Sequence, residues 1–70
     1  MENDAQYYWR RAVDERGAAC RSLAADVRER HHDLALLYLK RLAGLGAPTP
    51  FNASELSAEL HAFAKQRAAA

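Results

Sequence analysis

Glu29 and His32 stand three residues apart in the run Glu29-Arg30-His31-His32. That spacing sets a carboxylate and an imidazole on one helical face, as in the helices that hold di-iron centres. Such a centre also needs a carboxylate from a neighbouring helix at the same height. With a turn near residue 25, Arg21 and Ala18 come opposite Glu29 and His32, and Glu15 lies too far down. Arg28 and Arg30 flank Glu29 and mark a solvated face, so no metal site is expected. His31 and His32 diverge as adjacent helical positions and make poor co-ligands. His31 falls on an apolar stripe, where a buried, hydrogen-bonded imidazole is the plainer reading and a pH-sensitive interface the sharper one. Cys20, the only cysteine, sits on the apolar stripe near Arg16 and Arg21 with no base three or four residues away. It reads as a small buried hydrophobe rather than a nucleophile.

The densest cluster is Tyr7-Tyr8-Trp9-Arg10-Arg11. Large rigid rings beside forked guanidinium groups are the residue types that carry binding energy at protein interfaces. Successive helical residues point about 100° apart, so the three rings cannot share one core. Tyr8 and Trp9 are expected on the stripe, with Tyr7 on the flank beside Arg11. Arg10, Arg11, Arg16 and Arg21 suggest a basic strip for phosphates, but Asp14 and Glu15 interrupt it. Arg10–Asp14 and Arg11–Glu15 are both i,i+4 pairs, which points to an internally neutralised face. The sequence contains no phosphate-cradling glycine loop, nucleophile elbow or His-Glu-x-x-His. No catalytic residue and no cofactor are expected, and the chain is not read as an enzyme.

These side chains need helices to position them. Alanine, leucine and arginine dominate, β-branched residues are confined to Val13, Val27 and Thr49, and no stretch alternates as a strand does. The first stripe runs Ala5, Tyr8, Trp9, Ala12, Val13, Ala19, Cys20, Leu23 and Val27, with Asn3 or Asp4 as N-cap. The second runs Val27, His31, Leu34, Ala35, Leu37, Tyr38, Leu42 and Leu45 and stops at Gly44-Leu45-Gly46 before Pro48. A third starts at Asn52, with Glu55 completing a capping box and Phe51 stapling onto Leu56. It continues through Leu60, Phe63 and Ala64. No proline separates the first two, so one continuous helix from Ala5 to Leu42 is the alternative to a break near Ser22–Asp26, which is preferred because Asp26 and Glu29 have capping-box spacing. Acids then open, and bases close, each of the three helices, as their dipoles favour.

The prediction is one all-α domain over residues 1–70: an antiparallel hairpin (about 4–24 and 27–44) and a C-terminal helix (about 53–68). Residues 7 to 45 resemble a group of short, uncharacterised bacterial helical-hairpin proteins. The likeness is carried by Tyr7-Tyr8-Trp9-Arg10-Arg11, Glu15, Arg28, His32, Leu34-Ala35 and Tyr38. The resemblance implies the hairpin and no activity.

A chain of 70 residues leaves about 40% of its unfolded surface exposed, and a lone cysteine rules out an internal disulfide. Self-association or a protein partner is the remaining way to close a core. Leu34, Leu37, Tyr38 and Leu42 would form the seam, Tyr8 and Trp9 the anchors, with Tyr7, Arg10 and Arg11 beside them. Leu56, Leu60 and Phe63 would pack in cis or onto a neighbouring subunit. The expected function is a small non-catalytic assembly or adaptor protein. The alternative is a small regulator that binds nucleic acid or a nucleic-acid machine. A net charge of +1 argues against a nucleic-acid partner. An acidic start without a secretion signal, and apolar runs of at most six residues, point to a cytoplasmic protein with no membrane partner.

Overall fold

A computed structural model describes residues 2–69, and the side chains of residues 2–62. It contains α1 (Asp4–Arg21), α2 (Ala25–Gly44) and α3 (Ala53–Ala69), with no strand among the described residues. Asn3 caps α1. Its Oδ1 accepts from the Gln6 N–H at 2.8 Å, and its own N–H donates to Gln6 Oε1 at 2.9 Å. Two of the four backbone donors that every helix start leaves open are thereby satisfied.

The chain breaks at Ser22–Ala24, slightly ahead of the position that charge polarity suggests. Ser22 and Ala24 are both extended, and Ala24 is the N-cap without a side-chain hydrogen bond. The Asp26/Glu29 capping box therefore does not form, because Asp26 already lies inside the first turn. Arg28 holds the connection instead, its Nη2 donating to the Ser22 carbonyl at 2.9 Å.

At its far end α2 closes through Gly46, not Gly44. Gly46 has φ +67°, and the N–H groups of Gly46 and Ala47 return to the carbonyls of Ala43 and Leu42, each at 3.0 Å. This pattern satisfies the last carbonyls and requires the left-handed conformation that glycine adopts at least cost. Asn52 starts α3, its Oδ1 accepting from the Glu55 N–H at 2.8 Å. Glu55 answers the Asn52 side-chain amide at 3.3 Å rather than its backbone, so only half of the expected box is present.

The helices α1 and α2 pack closely as an antiparallel hairpin, and α3 lies more loosely on α2 of its own chain. Ala12 and Ala35 are fully buried, as is Ala19, and these small side chains let the helices approach. Leu39, Phe51 and Leu56 complete the main cluster, with Leu36 and Tyr38 packed against it. Phe51 and Leu56 form the expected staple. The body measures 44 × 21 × 14 Å and encloses little. Among the described residues, Leu42 is the only large side chain that is fully buried.

Candidate functional site

The Tyr7–Arg11 run divides between two faces of the hairpin. On one side, Tyr7, Tyr8 and Tyr38 form a cluster with ring centroids 5.7 to 6.3 Å apart. Three guanidinium groups sit over it: Arg10 on Tyr7 at 5.4 Å, Arg11 on Tyr38 and Arg41 on Tyr8, both at 5.7 Å. Within about 6 Å of a ring centroid the cation is attracted by the ring quadrupole. Tyr7 is thus an exposed lid on this cluster, and Tyr8 and Tyr38 are half-buried. Trp9 points the other way. It lines a shallow, mainly apolar cleft of about 270 Å³ with Ala5, Gln6, Leu42, Ala47 and Pro48.

The arginines are already engaged. Arg10 binds Glu2 at 2.7 Å and reaches Asp14 at 3.4 Å, and Arg11 binds Glu15 at 2.8 Å. Arg16 pairs with Glu59 of α3 while its guanidinium lies 4.5 Å above the Phe51 ring. Hydrogen bonds to Glu2 and Glu59 hold Arg10 and Arg16 above the usual arginine value. A strip of neutralised cations has little to offer a phosphate backbone.

Two buried polar groups were not singled out together by the sequence. Glu15 is buried between helices, with Arg11 on one side and His31 Nδ1 at 2.5 Å from its Oε2 on the other. His32, not His31, is the more deeply buried histidine. Its Nδ1 lies 3.3 Å from the Arg28 carbonyl and its Nε2 3.8 Å from Glu59 Oε2. His31 therefore ties α2 to α1, and His32 faces α3. Glu15 reaches His31 because the turn lies at residues 22–24 rather than near 25, which moves the facing register by about one helical turn. Glu29 is exposed and takes no part. No group of three His, Cys, Asp or Glu among the described residues could hold a metal ion.

The expected seam is not one surface. Leu42 is committed to the interior, Tyr38 to the aromatic cluster, Leu34 is half-buried, and Leu37 faces outward. Leu56, on α3, is buried against the hairpin, and Leu60 borders a shallow depression with His32, Leu36 and Ser57. The Phe63 side chain lies outside the described residues. Cys20 is exposed, which corrects the buried reading. Val13 is also exposed, because it shares a flank of α1 with Trp9 and Cys20 rather than the face turned to α2.

No family model, curated protein or solved structure matches this chain. The surfaces described above carry the functional reading. Among the described residues they offer apolar side chains and paired charges.

Proposed function

We propose that the chain is a small non-catalytic assembly or adaptor protein that works by helix–helix packing, with a copy of itself or with another protein. One observation carries this reading. Trp9, Val13, Leu23, Val27, Leu37 and Leu45 are exposed, Leu23 at 95%, while among the described residues Leu42 is the one large side chain that water does not reach. At about 25 cal/mol per Å² of apolar area, a body this thin gains little from its own core. Association would cover part of that apolar surface and stabilise the fold together with the complex. The resemblance to bacterial helical-hairpin proteins adds support for the hairpin as the packing unit. Among the described residues no helix is long and apolar enough to cross a membrane. An exposed lone thiol suits a reducing cytoplasm.

The test is absolute mass by light scattering across a dilution series, alongside far-UV circular dichroism. A dimer or larger species that loses helicity on dilution supports the reading. A monomer that stays fully helical at nanomolar concentration refutes self-association and leaves a heterologous partner as the only form of it. A nucleic-acid regulator would instead show binding to duplex or single-stranded DNA or RNA that falls steeply with added salt.

A further inference from the structure

The outer flank of α1 carries Trp9, Val13 and Cys20, exposed with α3 in place, and Gly17 lies on the same flank. Steps of four and seven residues keep these positions on one side of a helix. Trp9 is 41% and Val13 45% exposed. Gly17 interrupts this stripe in mid-helix, where glycine costs about 1 kcal/mol relative to alanine. A Cβ at Gly17 would meet nothing but the flexible end of Arg21, whose Nη1 would stand 3.0 Å away. The local backbone therefore does not demand glycine. Something outside the chain would benefit from the shallow slot it leaves.

We propose that this flank is the contact between two copies of the chain, with their α1 helices antiparallel and the two-fold axis at Val13. The proposal rests on the self-association reading above. Four residues separate Trp9 from Val13 and Val13 from Gly17, so the antiparallel register seats each indole over the Gly17 of the second copy. The Arg21 guanidinium beside that slot meets the indole face, the best aromatic acceptor of a cation. Seven residues on each side of Val13, Gln6 comes opposite Cys20 of the second copy.

Charge supports the same register. A two-fold axis lying in the interface brings each lateral edge of the stripe against the same edge of the other copy. Arg10 and Asp14 share one such edge, with side chains 50% and 53% exposed. Arg10 of one copy, with Glu2 of its own chain on its other side, then lies beside Asp14 of the other and can share it, offset by about 3 Å along the axis, which an arginine side chain spans. The contact forms twice. A parallel pairing would bring opposite edges together, which removes both Arg10–Asp14 contacts, and would set Gly17 on Gly17 rather than beneath an indole.

The test uses the full chain carrying Cys20→Ser, with Val13→Cys or Leu37→Cys as its only thiol. Added oxidised glutathione accepts the two electrons and two protons released when two thiols become a disulfide. At Val13 the two thiols meet across the axis, so its interchain disulfide should form about tenfold faster than at Leu37, which points away. Gly17→Ala provides the second readout. It should raise helicity in the monomer yet weaken the dimer by about tenfold, as a methyl group fills the slot. A dimer in solution whose Val13→Cys variant cross-links no faster than Leu37→Cys overturns this interface and leaves association standing. A Gly17→Ala dimer as tight as the parent also overturns it. A monomer overturns this interface together with the self-association on which it rests.

Discussion

At Glu15 the hairpin buries a carboxylate and surrounds it with donors from both helices. Arg11 lies one turn before it on α1 and His31 reaches it from α2. Removing a buried acceptor leaves its donors without that partner, which costs about 1–3 kcal/mol. Glu15→Ala should therefore lower stability by about that amount, read from the urea midpoint of the circular-dichroism signal. Glu29→Ala, at an exposed position, should stay within about 0.5 kcal/mol of the parent. Glu2 presents the opposite case, a surface carboxyl drawn below its ordinary value by its hydrogen bond to Arg10. Because the folded value lies below the unfolded one, the pair contributes stability above the unfolded value. That contribution is lost as pH falls through the folded value. Carboxyl titration by NMR should show Glu2 returning upward in Arg10→Gln. The pairs Arg10–Asp14 and Arg11–Glu15 are legible in the sequence, because i,i+4 neighbours on a helix need no knowledge of the fold. The pairing of Glu15 with His31 is not, since it depends on where the chain turns. Moving the turn by two residues shifts the facing residue by four, about 6 Å along the helix.

Helix ends show the same division between local and non-local information. The Asn52 start of α3 and the glycine-proline stop after α2 follow from residue type alone, and both appear in the fold. The break between α1 and α2 has neither glycine nor proline, and its position is set by Arg28 folding back to the Ser22 carbonyl. That contact across six residues leaves no signature in residue type, and Ala24 rather than the expected Asp26 caps α2. Which glycine ends α2 is likewise a matter of backbone conformation. Gly46 alone has positive φ, while Gly44 is helical with nothing near its missing Cβ. Gly46→Ala should cost about 1–2 kcal/mol, the penalty of a side chain in the left-handed region. Gly44→Ala should instead be neutral or stabilise by up to about 1 kcal/mol, by improved helix propensity. Thermal or urea unfolding of the two variants gives opposite signs if Gly46 holds the end of α2. Equal effects would mean the helix ends elsewhere.

For the whole molecule, apolar periodicity reveals three helices but not which flank of each is covered. Val13 and Cys20 belong to the same apolar stripe as Ala12 and Ala19, yet the first two are exposed and the second two completely buried. An apolar stripe wider than one neighbour can cover is ambiguous in sequence, because a hairpin partner occupies only part of the circumference. Here α2 takes one side of α1, α3 lies mainly on α2, and the remaining flank is left to water. This leftover flank has a thermodynamic consequence. If a second copy covers it, unfolding is coupled to dissociation, and stability depends on protein concentration by mass action. Well above the dissociation constant, a hundredfold rise in concentration adds roughly 2.7 kcal/mol per dimer. In a domain of this size a change of about 1 kcal/mol moves the midpoint by several degrees. Half of that energy falls to each chain, so melting curves recorded over two decades of concentration should shift upward by roughly five to ten degrees. Trp9→Ala should flatten the dependence, because Trp9 supplies exposed apolar surface and takes no part in the Tyr7, Tyr8 and Tyr38 cluster. A midpoint independent of concentration in the parent chain would show that the thin core suffices, and that the exposed flank serves a different partner or none.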